Sequence, residues 1–197
     1  NELTSLALQI HGGMGFIEET GAAQHVRDVR IAGIYEGTNG IQAADLVGRK
    51  LGIRGGASML EFLGTMRDID GDLAEAGAAF DSIREELGRQ FDALETATQW
   101  MLRTAPADPN AVLAGSTPYL RMWGLCAGAW MLARAAVAAQ ATGDTELAES
   151  QLVLARFHAQ QLLPQSASLL GAATAGSEDL FALDAHQLSG SSRKVRS

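Results

Sequence analysis

Met59-Leu60-Glu61-Phe62-Leu63-Gly64-Thr65-Met66-Arg67-Asp68-Ile69 opens a run in which apolar residues return at helical spacing as far as Leu102. The stripe reads Phe62, Leu63, Met66, Ile69, Leu73, Phe80, Ile83, Leu87, Phe91, Leu94, Thr98 and Met101. Steps of three and four place these side chains on one face of a helix, whereas a half-buried strand would alternate. Gly71 is expected to divide the run into two helices, the second starting near Asp70 or Asp72. The fold class that follows is all-α.

C-terminal to this run, residues 104–118 hold three of the chain's four prolines, Pro106, Pro109 and Pro118, and read as a loop. A third long helix is expected over 117–142, with Pro118 in its first turn where a missing N–H costs nothing. Its stripe is Tyr119, Met122, Trp123, Cys126, Trp130 and Val137. Gly143-Asp144 closes it, and Asp144 or Thr145 caps a helix over 145–163. Pro164 kinks that helix rather than stopping it, because Ser166, Leu169 and Leu170 keep the period. A last helix over 177–183 precedes a polar tail. Nothing in residues 57–197 pairs a base with a nucleophile, clusters carboxylates at metal spacing or repeats. These residues read as a helical bundle whose aromatic and Met stripes are core.

Composition agrees and excludes some functions. Hydrophobic residues are 47% but aromatics only 6%, and alanine makes up much of the difference, as closely packed helices require. Fifteen Lys+Arg against 23 Asp+Glu give a net charge of −8, unfavourable for attraction to nucleic acid or anionic membranes. The basic cluster Arg193-Lys194-Val195-Arg196 reads as a frayed end, so no nucleic-acid partner is expected. Arg121 and Arg134 interrupt the most hydrophobic segment, so no membrane span is expected. The single cysteine, Cys126, excludes an internal disulfide and fits a reducing compartment, and a cytoplasmic location is expected. Its apolar neighbours mark it as a buried structural thiol. The four histidines show no metal-ligand spacing, and no metal is expected.

N-terminal to the first run lies another kind of sequence. Leu3, Leu6, Ala7 and Ile10 carry a helical stripe from the first residues, with no initiator methionine and no basic leader. The chain therefore reads as a fragment of something longer. This helix ends at His11-Gly12-Gly13-Met14-Gly15, where the glycines either cap it or let backbone N–H groups approach a ligand. A helix over 19–32 follows, with Thr20 as cap and Asp28 placed to pair with Arg27, Arg30 or His25. Then comes Ile34-Tyr35-Glu36-Gly37-Thr38-Asn39-Gly40-Ile41-Gln42, a loop carboxylate ahead of a helix that Thr38 or Asn39 caps and that runs to about Leu51. Packed beside Ile34 and Tyr35, Glu36 would have its pKa raised towards that of a proton-abstracting base. Solvated, it would be an ordinary loop residue. Gly52-Ile53-Arg54-Gly55-Gly56 is the expected boundary, giving domains over 1–54 and 55–197.

Three blocks, Gln9-x-x-Gly12-Gly13-x-Gly15-Phe16, Arg27-Asp28-x-Arg30-Ile31 and Ile34-Tyr35-Glu36-Gly37-Thr38, stand in the order and at the spacing of the C-terminal motifs of the acyl-CoA dehydrogenases. The resemblance covers about residues 1–51. The variants Glu18-Glu19-Thr20-Gly21-Ala22-Ala23-Gln24 and Glu36 to Ala43 look most like a branch with longer chains. That branch carries an extra helical domain after the catalytic core and includes 3-methylmercaptopropionyl-CoA dehydrogenase-like proteins. Residues 57–197 are similar in character to that domain. The fold implied is the end of the family's C-terminal helical domain followed by a helical bundle.

The resemblance implies an oxidoreductase that removes the α-proton of an acyl-CoA thioester with Glu36 while hydride leaves the β-carbon for flavin N5. Gly37 would lie along the substrate, and Thr38, Asn39 and Gly40 would contact the flavin. Gln9, Ile10, His11, Gly12 and Gly13 would meet the ADP half of an FAD held mainly by a second subunit, so a homodimer or higher homo-oligomer is implied. An electron-transfer flavoprotein is the implied acceptor. The family's N-terminal helical and middle β-domains are absent from these 197 residues, so this polypeptide alone is expected to bind FAD weakly or not at all and to be inactive. The alternative is a non-catalytic helical oligomerisation or interaction module in which the motif is a relic.

Overall fold

The computed structural model describes residues 1–35 and 37–188, and among these every regular element is helical. Chain contacts divide it into two units, residues 1–42 and 43–197. The helix α4 (Asn39–Asp45) straddles that division.

The first unit holds α1 (Glu2–Ile10), the short α2 (Gly13–Phe16) and α3 (Ala22–Arg30), with 3₁₀ turns at Glu18–Thr20 and Ile31–Gly33. α3 is shorter than the sequence suggests. Gly21 takes φ 73°, which delays the helix to Ala22. The Thr20 hydroxyl donates to the Met14 carbonyl at 3.0 Å and accepts from the Ala22 N–H at 3.4 Å, so it still serves the helix start although Gly21 occupies the cap position. Gly15 is demanded by packing: a Cβ there would lie 2.5 Å from the Leu8 carbonyl oxygen and 2.8 Å from His11 Cβ.

The second unit is built on two long helices, α7 (Asp81–Thr104) and α9 (Ser116–Ala141). Before them come a π-turn (Leu46–Lys50), α5 (Ala57–Arg67) and α6 (Ile69–Ala76). Between them sits α8 (Pro109–Ala114). After them come α10 (Thr145–Phe157), a π-turn (His158–Leu162), α11 (Gln165–Ser168), α12 (Leu170–Ala173), α13 (Glu178–Phe181) and α14 (Ala185–Leu188). α9 is the central helix, packing on α6, α7, α10, α11 and α12. It is long and apolar enough by length and composition to cross a bilayer. Here its apolar residues face other helices, with Tyr119, Met122, Cys126, Ala133 and Ala136 fully buried. The small side chains Ala129, Ala133 and Ala136 let neighbouring helices approach closely.

Three expectations are corrected. Gly71 itself lies inside α6, but a break does fall just ahead of it, between Arg67 and Ile69, so the helix start expected near Asp70 is displaced by one residue; a second, unexpected break falls at Gly77, whose φ 102°, ψ 177° is open chiefly to glycine. The stretch 104–118 is not all loop. Asp108 accepts a hydrogen bond from the Ala111 N–H at 3.0 Å, and with Pro109 at the first position this starts α8. The tail beyond 183 includes α14, closed by a reciprocal cap in which Gln187 N–H donates to Asp184 Oδ1 (2.8 Å) and Asp184 N–H to Gln187 Oε1 (2.9 Å). The basic cluster at 193–196 lies outside the described residues.

The bundle's stability is apolar. Arg67 meets Asp92 and Glu95, and Arg84 meets Asp70, but these pairs lie at the surface, where water and salt screen them, so they contribute little. Burying a single Leu or Phe such as Leu94 or Phe91 contributes about 1.5–3 kcal/mol. Polar side chains inside pair with one another at two places. Thr98 Oγ1 donates to the Leu94 carbonyl (2.8 Å), so the Tyr119 hydroxyl, also at 2.8 Å, donates to Thr98. Gln90 Nε2 donates to Glu86 (2.7 Å), and Gln90 Oε1 accepts from the Ala167 N–H (2.7 Å), fastening α11 to α7.

Candidate functional site

The expected site residues fall in two groups within residues 1–42, and those described are exposed except the half-buried Gly37. Gln9 and Ile10 end α1, and His11 to Gly13 turn into α2. His11 N–H donates to the Ala7 carbonyl (3.2 Å) and Gly12 N–H to the Gln9 carbonyl (3.0 Å), so this turn does close the helix. Gly12 has φ 59°, and neither Gly12 nor Gly13 has an atom within 4 Å of where a Cβ would stand. Their backbone therefore faces open space. Gly15 alone among these glycines is fixed by packing.

Beside this turn runs a cleft of about 420 Å³ between α1 and α3, lined by Leu3, Thr4, Ala7, His11, Thr20, Ala22 and His25. Sequence reasoning passed over Thr4, Thr20 and His25. No spacing rule links α1 to α3, and His25 by itself reads as a surface histidine.

The second group stands at the start of α4. Thr38 is the cap: its carbonyl accepts from the Gln42 N–H at 2.9 Å and its Oγ1 from the Ile41 N–H at 3.4 Å. Gly37 has φ 88°, and a Cβ there would crowd Ile41 Cγ2 at 3.0 Å, so glycine is required twice over. Asn39 and Asn1 both lie within 4 Å of the position a Gly33 Cβ would take. Asn39 is thus close to the first residue of α1. Gly40 follows it on the same exposed turn. Glu36 lies outside the described residues. Its neighbours Ile34 and Tyr35 are each about half exposed within this chain.

These contacts set the two groups apart. Asn39 sits by the N-terminal end of α1 and Gln9–Gly13 sit at its C-terminal end, nine residues away. At about 1.5 Å per residue the separation is roughly 13 Å. They do not form one pocket.

The charged block between them is structural, with partners other than those expected. Asp28 accepts from Gln24 Nε2, while Arg27 donates to Gln24 Oε1 at 2.7 Å and lies 3.5 Å from Glu18. Gln24 is the hub, because a side-chain amide can serve a carboxylate and a guanidinium together.

Two titratable groups inside the bundle are held in their neutral forms by burial. Cys126 is buried, its Sγ 3.4 Å from Ser166 Oγ, and burial pushes its pKa up to about 11, so it stays a thiol at neutral pH. Burial lowers the pKa of His158, whose Nδ1 has no hydrogen-bond partner among the described residues. Among the described residues no three His, Cys, Asp or Glu side chains come together as metal ligands.

Comparison with known proteins covers nearly the whole chain. Residues 1–51 match the family profile described as "Acyl-CoA dehydrogenase, C-terminal domain". Residues 62–184 match "Acetyl-CoA dehydrogenase C-terminal like". A 3-methylmercaptopropionyl-CoA dehydrogenase of Ruegeria pomeroyi is 44% identical over 166 residues, 82% of this chain and 28% of that protein. The broad-specificity linear acyl-CoA dehydrogenase FadE5 of Mycobacterium tuberculosis is 29% identical over 195 residues, 90% of this chain and 31% of its own length. The short-chain specific acyl-CoA dehydrogenase of Bos taurus mitochondria is 49% identical over 49 residues, 25% of this chain. The chain thus spans less than a third of the length of the first two relatives.

Proposed function

Since this chain belongs to the acyl-CoA dehydrogenase family, we propose that it is the C-terminal part of an FAD-dependent enzyme that introduces an α,β double bond into an acyl-CoA thioester. Glu36 takes the α-proton, and the electrons leave with the β-hydrogen as hydride. FAD, when bound, supplies the two-electron acceptor for that hydride. The developing enolate oxygen is held by backbone N–H at Glu36, which stabilises charge as it forms. Gly37 keeps the chain close to the thioester. Thr38 Oγ1 accepts from the Ile41 N–H and keeps its own O–H free to donate, so Thr38, with Asn39 and Gly40 after it, would meet the flavin.

The observation that carries this reading is the arrangement of the two groups around α1. Groups roughly 13 Å apart suit two different parts of a cofactor, or two cofactors, with Gln9–Gly13 serving an ADP moiety held by a second copy. The residues fit such a use: the Gly12–Gly13 backbone is open on its outer side, and His11 stands at the mouth of an apolar-walled cleft. We further propose a domain boundary near residue 54, a cytoplasmic location and an electron-transfer flavoprotein as acceptor.

The test uses a full-length protein carrying this segment. Glu36→Gln removes the base without changing its size, and activity should fall by at least three orders of magnitude while the flavin absorbance band persists. Retained turnover would remove Glu36 from its role. Loss of flavin along with activity would move it from base to binding residue.

A further inference from the structure

Helix α10 is apolar on both sides. Leu152 and Ala155 pack towards the core, and yet Leu147, Val153, Leu154 and Phe157 remain between 41% and 56% exposed. These four recur at helical spacing and form one stripe on the outward side. Glu146 and Ser150 lie on the same side towards the N-terminal end, so the apolar surface is concentrated at Val153, Leu154 and Phe157, and such a patch edged by charge marks an interaction surface.

The edge of the stripe identifies the occupant. Glu149 and Arg156 are seven residues apart, so they lie on the same edge, two turns from each other. That is too far for a pair within one helix, which needs three or four residues. Among the described residues, neither makes an ion pair. Two α10 helices set antiparallel about a two-fold axis bring this edge against its own reversed copy. Glu149 then faces Arg156 of the second copy, and the reverse holds across the axis. The same register sets Leu147 opposite position 158 of the second copy, beside its Phe157, and brings Val153 and Leu154 to the axis. An unrelated partner gives no reason for opposite charges one heptad apart on one edge; a second copy does, because an isologous contact requires a surface complementary to itself.

We propose that α10 is a two-fold contact between copies of this chain, antiparallel and centred between Leu152 and Val153. It is independent of the flavin reading and would stand if that reading fell.

Sedimentation equilibrium of the 197-residue chain at low salt tests it. Glu149→Arg or Arg156→Glu alone sets like charges together at two places and should weaken self-association about tenfold. The combined Glu149→Arg/Arg156→Glu variant restores opposite pairing and should recover wild-type association. Leu154→Glu should abolish it without altering helicity, because Leu154 is exposed. A double reversal as weak as either single one would overturn the register. Association unmoved by all four variants, or a chain monomeric at every concentration, would overturn the contact.

Discussion

Gly115 joins α8 to α9, and its replacement by alanine is a sharp test of the bundle's packing. The backbone there is ordinary, φ −82° and ψ −2°, so alanine adopts it without strain. What forbids alanine is space. A Cβ at this position would stand 2.0 Å from the Ala173 carbonyl oxygen and 2.9 Å from Met101 Cε. The first contact is more than an ångström short of normal, and a carbonyl in α12 cannot rotate away as a side chain can. Overpacking against movable neighbours costs about 1–3 kcal/mol, so against backbone the upper end, about 3 kcal/mol, is expected. Gly124, mid-way along α9, has no atom within 4 Å of its Cβ position. There alanine should stabilise by about 1 kcal/mol through helix propensity alone. In a chain of this size each kcal/mol moves Tm by about 2–4 °C, so Gly115→Ala should lower it by roughly 6–12 °C and Gly124→Ala raise it by roughly 2–4 °C. All three tryptophans, Trp100, Trp123 and Trp130, lie in the second unit, so their fluorescence in urea follows this unit specifically. Gly115→Ser guards against a capping effect, since serine is a better cap than glycine yet carries the same Cβ. If the serine variant matched wild type, the close approach of α12 to this corner would be refuted.

Two further outcomes follow from buried polar groups. Thr98→Val leaves the Tyr119 hydroxyl buried without an acceptor and should cost about 1–3 kcal/mol, whereas Thr98→Val combined with Tyr119→Phe should lose less than the two singles added; additive urea midpoints would show the hydroxyls do not meet. His158 is held neutral by burial, its pKa below the ordinary value of 6.5. The unfolded chain therefore takes up a proton first as pH falls, so the stability gained by keeping His158 neutral is complete above 6.5 and is lost as pH drops through the folded value. His158→Gln should flatten the dependence of the urea midpoint on pH below 6.5, and identical slopes for variant and wild type would refute the assignment.

The bundle was legible because its signal is periodic and its errors are local. Leu63, Met66, Ile69, Leu73, Leu87, Phe91, Leu94 and Met101 are all buried, as their spacing requires. The misplaced boundaries share a physical cause. Gly71 and Gly77 have the same helix propensity, but only Gly77 adopts a backbone that chiefly glycine reaches, so conformation and not residue type decides which glycine ends a helix. Asp108-Pro109 and Asp184 with Gln187 are capping signals that composition conceals, because proline density and polarity suggest loop before hydrogen bonds are considered. Arg54 is a harder case. It takes φ 54° in a turn where Gly55 and Gly56 supply the expected freedom, and its bidentate pairing with Glu61 (2.6 and 2.9 Å) accompanies that conformation. No local pattern announces an arginine in the left-handed region.

The candidate site was legible in a different currency. Among the described residues in 1–42, only Gly15 and Ala23 are buried; Ile10 is 87% exposed and Phe16 82%. With so little interior, burial gives no means of separating a functional residue from a solvated one within this stretch. Order and spacing along the chain do not depend on an interior, so the three blocks remain recognisable where geometry is thin. The same contrast sets what each kind of reasoning can deliver. Spacing assigns Gln9–Gly13 and Gly37–Gly40 to one motif series, and only the contacts of Asn39, Gly33 and Asn1 place those groups at opposite ends of α1. The exposure of Ile10 and Phe16 at one end, and of Ile34, Tyr35 and Ile41 near the other, is apolar area of the kind that contact surfaces cover.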